Sequence, residues 1–351
     1  MPPPPRPQTP EGGKTLVYST VDGHDIKLDY YLPRGTTSGK LPAIIYYHGG
    51  GMTAGSRRGG HFPTWLYDHC QKRNYILIAA DYRLCHPSTA LDQIADAKAL
   101  LTFLTSPTFQ SALSSSSSSS SSSNPKTEPL SLDPTRIAVT GFSAGAYSAR
   151  AACVYGTPKP AVLMTAYGTG GNLLLDHWTQ PRPPTSIAKL VNLDDVPRLL
   201  ADKRVVSDDA DAGSNRFALT VRWEMDGTFL DGCFGWPGLG AALNKVEYAE
   251  RAAAVPAELR AGFLQEFVGE GYPPAVFVHG TADEVVPDLE SRFQHEQLGR
   301  LGVRTRLLLV EGAGHGLVDP ESGWPPRLAE GAMEAYEEAC TFIDAALKGG
   351  L

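Results

Sequence analysis

Residues 136–154 read RIAVTGFSAGAYSARAACV, and this segment decides the fold of the chain. Its first part, Arg136–Thr140, is a short, mostly apolar run, as in strands buried on both faces of a parallel sheet. Its last part, Ala146–Val154, is compatible with a helix. Between them stands Gly141-Phe142-Ser143-Ala144-Gly145, whose small residues tolerate the strained turn that exposes a serine Oγ. The segment therefore predicts a strand–turn–helix unit with Ser143 as a candidate nucleophile.

Apolar runs and helical stripes alternate along most of the chain. This alternation predicts an α/β fold, with a mostly parallel central sheet flanked by helices. Ahead of it, residues 15–32 hold two alternating runs around Asp22-Gly23, which predict a β-hairpin. The further predicted strands are Leu41–Tyr47, Tyr75–Ala80, Ala161–Tyr167, Ala275–Val278 and Arg306–Val310. The predicted helical stripes are Ile94, Ala97, Leu101 and Leu104, then Leu289 and Phe293, and finally Ala332, Tyr336, Ala339, Ile343 and Leu347.

Two interruptions of this alternation set the predicted domain boundaries. Residues 114–123 are an unbroken serine run, which cannot bury apolar area and predicts a flexible surface insertion. Residues 170–272 show no clear strand alternation, and a structureless loop of that length is uncommon inside a domain. We therefore expect an inserted, largely helical cap there. The core is predicted to comprise residues 14–169 and 273–351, after a Pro-rich, disordered arm over residues 1–13.

Composition argues against several classes of partner. With 31 Lys and Arg against 38 Asp and Glu, the 351-residue chain carries a net charge of −7, which disfavours nucleic acid and anionic membrane surfaces. No stretch approaches the roughly 20 apolar residues of a membrane span, and the N-terminus lacks the apolar core of a signal peptide. The five cysteines form no Cys-x-x-Cys pair, which disfavours a disulfide framework or a zinc site. We expect a cytoplasmic protein that acts on a small molecule.

A glycine-rich turn follows the predicted strand Leu41–Tyr47. It reads His48-Gly49-Gly50-Gly51, and three glycines free the backbone to point N–H groups at a developing oxyanion. The alternative interpretation is a flexible turn without a chemical role. We expect His48 to orient this loop through a hydrogen bond and not to act as a base.

A serine nucleophile needs a base, and the base needs a carboxylate to fix its tautomer. Asp283 follows the predicted strand Ala275–Val278, and His315 follows the predicted strand Arg306–Val310. Both then lie at the carboxyl edge of the sheet, where crevices form in α/β folds. Glu284 is the alternative carboxylate, and a solvated turn residue is the alternative interpretation of His315.

Together these motifs resemble the α/β-hydrolases of the hormone-sensitive-lipase-like branch, the HGGG carboxylesterases. The serine run also resembles filamentous-fungal sequences. The resemblance implies an α/β-hydrolase fold and ester hydrolysis by a Ser143–His315–Asp283 triad without a cofactor. It also implies oxyanion donors at the amides of Gly50, Gly51 and Ala144. The matching motifs are His48–Gly51, Asp81-Tyr82-Arg83-Leu84, Gly141–Gly145, His279-Gly280-Thr281-Ala282-Asp283 and Gly314-His315-Gly316.

The sequence departs from that family at two points. Phe142 stands before the nucleophile, where the family commonly has an acidic residue, and Cys85-His86-Pro87 follows Asp81–Leu84 in place of Ala-Pro-Glu. Lactones, thioesters or formamides therefore stay open as substrates, as does a non-hydrolytic step of secondary metabolism. The contrasting hypothesis is a catalytically silent ligand receptor of the same fold. We expect Asp81–Leu84 to have a structural role.

Overall fold

The computed structural model describes residues 9–117, 128–210, 214–322 and 325–350. Within this part of the chain, eight strands form one sheet in the order β1-β2-β4-β3-β5-β6-β7-β8, with β1 and β2 antiparallel to their neighbours and the other pairs parallel. The strands are β1 (Lys14–Val21), β2 (His24–Tyr31), β3 (Lys40–Tyr47), β4 (Ile76–Ala80), β5 (Ser131–Phe142), β6 (Val162–Ala166), β7 (Ala275–Gly280) and β8 (Thr305–Val310). The predicted α/β fold is confirmed.

Helices cover both faces of this sheet. The helices α1 and α12 pack on one face with Leu66 and Ile343, while α2, α4 and α11 pack on the other with Leu101, Ala149 and Leu298. The core helices are α1 (Thr64–Arg73), α2 (Ala90–Leu104), α3 (Pro107–Ser117), α4 (Gly145–Tyr155), α11 (Leu289–Arg300) and α12 (Ala332–Leu347). The sheet is thus buried on both sides, which explains why its strands read as continuous apolar runs.

The predicted hairpin is present and is closed by a two-residue turn. Asp22 and Gly23 have φ values of 51° and 77°. Left-handed conformation at both turn positions matches the right-handed twist of the flanking strands. β2 then pairs with β4, so the hairpin extends the parallel sheet by two antiparallel strands.

The predicted buried face of α11 is wrong, although the helix itself is confirmed. Leu289 is 53% exposed and Phe293 is only half-buried. The helix instead buries Glu290, Ser291 and Gln294, together with Leu298 farther along. These polar side chains bond to groups behind the carboxyl edge of the sheet, so hydrogen bonding and not apolar periodicity orients the helix.

The described residues of the segment between β6 and β7 form helices, turns and irregular loops, with one isolated bridge from Asp209 to Gly55. Besides α5–α10, it has short 3-10 helices at Ser186–Leu190, Leu193–Asp195, Ala257–Gly262 and Leu264–Phe267. The α-helices are α5 (Asp176–Thr179), α6 (Val196–Ala201), α7 (Phe217–Asp226), α8 (Phe229–Phe234), α9 (Leu239–Leu243) and α10 (Tyr248–Ala254).

The serine run begins inside a helix and not in a loop, contrary to the predicted start of the insertion at Ser114. Residues 114–117 form the last turn of α3. Ser114 Oγ donates to the Gln110 carbonyl at 3.0 Å, and the Lys14 ammonium donates to Ser116 Oγ at 2.7 Å. Residues 118–123 of the run, and residues 1–8 of the predicted arm, lie outside the described residues.

Candidate active site

Ser143 occupies a sharp turn between β5 and α4. Its φ of 52° lies in the left-handed region that non-glycine residues rarely adopt. The turn needs small neighbours, because a Cβ on Gly141 would lie 2.4 Å from the Gly145 carbonyl oxygen and a Cβ on Gly145 would lie 2.2 Å from that of Tyr47. The Ser143 amide donates to the Ala166 carbonyl at 3.0 Å. The G-x-S-x-G spacing thus reflects close backbone packing around a strained serine.

The structure brings Ser143, His315 and Asp283 into one hydrogen-bonded line. Ser143 Oγ lies 2.9 Å from His315 Nε2, and His315 Nδ1 lies 2.8 Å from Asp283 Oδ2. Glu284, the alternative carboxylate, instead accepts from the Ser186 amide at 2.7 Å.

The Asp283 carboxylate is anchored and held ionised. Its Oδ1 accepts from the amides of Val285 and Val286 at 2.9 and 3.0 Å. Burial alone would raise the pKa of Asp283, but the neighbouring His315 and His279 hold it well below its usual range. An ionised carboxylate at Nδ1 keeps the proton on that nitrogen, so Nε2 is free to accept the proton of Ser143.

The glycine-rich loop lies directly against Ser143. A Cβ on Gly49 would be 3.1 Å from the Ser143 Cβ, and a Cβ on Gly50 would be 2.1 Å from the Ala54 carbonyl oxygen. Gly50 and Gly51 have φ values of 127° and 61°, which favour glycine. Across the described ranges, the amides of these two residues and of Ala144 donate to no other group.

His48 is a buried, neutral ring outside the hydrogen-bonded line. It is 3% exposed, its Nδ1 donates to the Gly49 carbonyl at 2.8 Å, and its ring stacks on Tyr82 with centroids 4.4 Å apart. The Tyr82 hydroxyl donates to the His48 carbonyl at 2.6 Å. Burial lowers the pKa of His48 to about 4.

Folding should therefore weaken in acid because of His48. A histidine whose folded pKa lies below its unfolded value of about 6.5 is destabilising once the unfolded chain takes up a proton. The free energy of unfolding should fall as pH drops from about 6.5 toward 4. At pH 4.5, His48 should account for a loss of about 2–3 kcal/mol. Denaturant titrations of wild type and His48→Asn at pH 6.5 and pH 4.5 measure how far the free energy of unfolding falls in each protein. An equal fall in the two proteins would contradict the prediction.

Asp81–Leu84 ties loops together beside the glycine-rich turn. The Asp81 carboxylate accepts from the Arg57 amide at 2.7 Å and also pairs with the Arg57 guanidinium. Arg83 Nε donates to Asp96 at 2.9 Å, and Arg83 Nη1 donates to Asp92 at 2.7 Å. These contacts agree with the structural role expected for this motif.

Phe142, at the position where the resembled family commonly has an acidic residue, places its side chain in an aromatic cluster. Its ring stacks near-parallel to Trp65, at a centroid distance of 5.8 Å, and meets Tyr46 edge-on at 5.3 Å. Tyr167 and Tyr336 lie 6.0 and 6.4 Å away. The residue before the nucleophile therefore packs into the core on the α1 and α12 side of the sheet.

Ser143 opens onto a pocket whose far wall is built by α7 and α8. It has about 270 Å³ of empty space, solvent at its mouth included. Of the aromatic residues in the segment predicted as a cap, Phe229 lines this pocket, Phe234 stacks on Phe263 at 5.0 Å, and Trp236 is 41% exposed. The lining also includes Trp178, Phe217, Thr220, Glu224 and Val286.

Sequence reasoning missed Glu224 and its partner Arg182. Glu224 Oε2 lies 3.1 Å from Arg182 Nη2, and the Glu224 side chain is 8% exposed. The available signal was helical spacing, because Phe217, Thr220 and Glu224 recur on one face of α7. That face would have been assigned to the core without knowledge of the pocket.

Glu290 fastens the wall behind the pocket. This carboxylate is fully buried, and its Oε1 accepts from Trp178 Nε1 at 2.6 Å. Its Oε2 accepts from the Asn172 amide at 3.0 Å and from the Gly171 amide. Nearby, Arg150 Nη1 donates to the Thr169 carbonyl at 2.7 Å. The chain leaving β6 is thus held to α4 and α11 by polar contacts.

Replacing Glu290 should strongly destabilise the fold. In Glu290→Ala, three buried donors lose their acceptor. Losing such a buried network should lower the free energy of unfolding by about 3–5 kcal/mol. Glu290→Gln keeps one acceptor oxygen and should cost less. Urea titrations followed by tryptophan fluorescence measure both changes, with the exposed Glu296→Gln as control. A loss for Glu290→Ala no larger than that of the control would show that the network is dispensable.

Comparisons with known proteins agree with this architecture. The model of the BD-FAE family matches residues 28–116. Thermogutta terrifontis esterase 2 phosphonylated by sarin shares the fold, with a TM-score of 0.57, 20% identity, and coverage of 97% of this chain and 96% of that one. No helix in the described ranges is long and apolar enough to cross a membrane.

Fungal proteins supply the sequence relatives. A non-reducing polyketide synthase of Stereocaulon alpinum is 24% identical over 357 residues, which are 96% of this chain and 13% of that synthase. The chain thus spans only a small part of that relative. A probable carboxylesterase of a Phoma species is 29% identical over 91 residues, which are 25% of this chain and 28% of that protein. From the sheet order and the similarity to the Thermogutta structure, the chain has the α/β-hydrolase fold.

Proposed function

We propose that the protein is a serine hydrolase that cleaves a carboxylic ester through an acyl-enzyme. The observation that carries this proposal is the line from Ser143 Oγ through the His315 ring to the Asp283 carboxylate, with separations of 2.9 and 2.8 Å. These distances lie within the range for proton transfer between a nucleophile and its base. The BD-FAE match and the probable carboxylesterase of the Phoma species support ester hydrolysis in particular.

Each residue then has one role in the reaction. Ser143 Oγ attacks the ester carbonyl carbon while His315 Nε2 takes its proton, and Asp283 stabilises the resulting imidazolium. The amides of Gly50, Gly51 and Ala144 hold the carbonyl oxygen as it becomes an oxyanion. His315 returns the proton to the leaving alkoxide, which breaks the ester bond. Water attacks the acyl-enzyme with the same base, and Ser143 is regenerated.

The helices between β6 and β7 form the cap over this site in our proposal. Phe217, Thr220 and Glu224 of α7 and Phe229 of α8 line the pocket beside Ser143, so the predicted insertion at residues 170–272 would shape the substrate. Mostly apolar walls with few polar groups beside Ser143 suit the acyl part of an ester.

A second candidate function is acyl chemistry in secondary metabolism. The similarity to a non-reducing polyketide synthase extends over 96% of this chain, so a domain of similar length works within a biosynthetic enzyme. The same triad would attack a thioester or a lactone. A comparison of kcat/KM for matched oxygen esters and thioesters decides between the two candidates, because each predicts a preference for its own substrate.

Active-site labelling tests the proposal directly. A fluorophosphonate should react with Ser143 Oγ, losing fluoride and leaving a phosphonylated serine, as phosphonylation occurs in the Thermogutta esterase. Tryptic mass spectrometry should place the adduct on Ser143, and neither Ser143→Ala nor acid-unfolded protein should react. A folded wild-type protein that is not labelled, and that cleaves no ester, would favour the receptor hypothesis.

A further inference from the structure

We propose that Glu224 selects the substrate of this pocket, and that the preferred ester carries a neutral hydroxyl group that donates a hydrogen bond to the Glu224 carboxylate. This inference rests on the proposed function, since it concerns the ester bound beside Ser143. It adds a specificity-determining residue and a substrate class to that function.

The position of Glu224 comes from the geometry of α7. Phe217, Thr220 and Glu224 are spaced by three and four residues, so they share one helical face, and all three line the pocket with Ser143. Gly51, Thr169 and apolar side chains such as Trp178 form the rest of the wall. A substrate entering this space therefore meets mostly apolar surface and one carboxylate.

The other polar group on this face is already engaged, whereas the Glu224 carboxylate keeps unused acceptors. Thr220 Oγ1 donates to the Gly51 carbonyl at 2.6 Å and lies 2.7 Å from Thr53 Oγ1. Arg182 Nη2 lies 3.1 Å from Glu224 Oε2 as an ion pair without hydrogen-bond geometry, and within the described ranges no side chain or amide donates a hydrogen bond to the carboxylate. A carboxylate has about four acceptor sites. Leaving such sites buried without a donor costs free energy, so a bound hydroxyl that donates to one of them would be stabilised.

Charge favours a neutral donor over a cation. Glu224 and Arg182 are both largely buried, and their charges cancel when Glu224 is ionised. An ammonium group on the substrate would be desolvated next to the like charge of Arg182, which costs more than the remaining attraction returns. Burial also raises the pKa of Glu224 to about 7, against the lowering effect of Arg182, so the carboxyl is neutral in part of the molecules near neutral pH.

The pair also has a purely structural alternative. The Arg182 amide donates to the Glu224 carbonyl at 3.2 Å. The loop that follows α5 is therefore tied to α7 by the backbone as well as by side chains. A purely structural clamp would change stability when Glu224 is replaced. It would not change the ratio of kcat/KM between two substrates that differ by one hydroxyl.

Paired substrates give the test. The acyl pair is p-nitrophenyl butyrate and p-nitrophenyl β-hydroxybutyrate, and the alcohol pair is propyl butyrate and 2-hydroxypropyl butyrate. p-Nitrophenyl β-aminobutyrate serves as the cationic analogue. In wild type, kcat/KM should favour the hydroxylated member of at least one pair by about 10- to 100-fold, since a hydrogen bond to a charged group discriminates by that amount. Glu224→Leu should reduce the ratio to near one, and Glu224→Gln, which keeps an acceptor, should retain part of it.

Controls separate this inference from the proposed function and from misfolding. Glu258→Gln, at an exposed glutamate of the 3-10 helix Ala257–Gly262, should keep the wild-type ratio. If Glu224→Leu does not fold, Glu224→Leu/Arg182→Leu removes both charges and carries the same expectation. A wild-type ratio near one, a ratio unchanged by the loss of the carboxylate, or a preference for the amino analogue would each overturn the inference, although Ser143 still hydrolyses the plain esters. If wild type is not labelled at Ser143 and cleaves none of the esters, the proposed function itself is overturned.

Discussion

Replacing Ser143 by alanine should lower kcat for a simple aryl ester by about a million-fold, the scale seen when a serine protease loses its nucleophile. His315→Ala should cost about as much, because Ser143 Oγ, 2.9 Å from Nε2, then has no base. The double variant should be no worse than either single one, since the residues act as a unit. Asp283→Asn should lower kcat by about 10⁴-fold, because the amide favours the wrong histidine tautomer.

The measurement is kcat by stopped-flow or steady-state absorbance on p-nitrophenyl butyrate, with thermal melts of every variant. Ser186→Ala, an exposed serine away from the pocket, is the matched control and should keep wild-type kcat. If folded Ser143→Ala retained more than about one percent of the activity, a different nucleophile would have to carry the reaction, and the triad would be only a buried polar network.

The sheet could be predicted from the sequence because burial on both faces leaves a strong signal. The runs Leu41–Tyr47 and Arg306–Val310 correspond closely to strands β3 and β8. The first half of β5 was missed. It contains Pro134 and polar residues, and its pairing with β3 shifts register between Leu41 and Ala43. Such an irregular edge has no periodic pattern to read.

The candidate triad could be located because each member follows its own strand. Strand ends were visible at residues 140, 278 and 310, and parallel strands bring their carboxyl ends to one edge. The positions of these strand ends predict that Ser143, Asp283 and His315 lie near one another, without any distance being known. Oxyanion donors cannot be read in this way, since an amide direction depends on φ and ψ and not on residue type.

Helix orientation and pocket lining could not be predicted, for a different physical reason. Apolar periodicity assumes that a helix buries its apolar side, yet α11 buries Glu290 and Gln294 and exposes Leu289. Long-range partners such as the Trp178 indole determine this choice. Glu224 was missed for the same reason, because a carboxylate on a buried helical face has meaning only once its pocket and Arg182 are known.

Removing the amide of Ala144 should lower kcat by about 10²- to 10³-fold with little change in KM, if this amide donates to the oxyanion. Proline is the substitution that deletes the N–H, and Ala144 has a φ of −57°, which matches the angle of a proline ring. Proline at Gly50 or Gly51 is a weaker test, because their φ values of 127° and 61° forbid the ring and the loop itself would rearrange.

Ala144→Gly is the control for Ala144→Pro, since it changes the side chain at the same position while keeping the amide N–H. Ser143 precedes the new proline in the left-handed region, and the ring crowds the preceding residue. A circular-dichroism melt and an unchanged KM must therefore accompany the measurement. If the variants fold and KM is unchanged, a 100-fold or larger difference in kcat between them would assign an oxyanion donor to this amide. The difference arises because one hydrogen bond strengthens in the transition state. Equal kcat values would leave Gly50 and Gly51 as the proposed donors, because their amides also donate to no group within the described ranges.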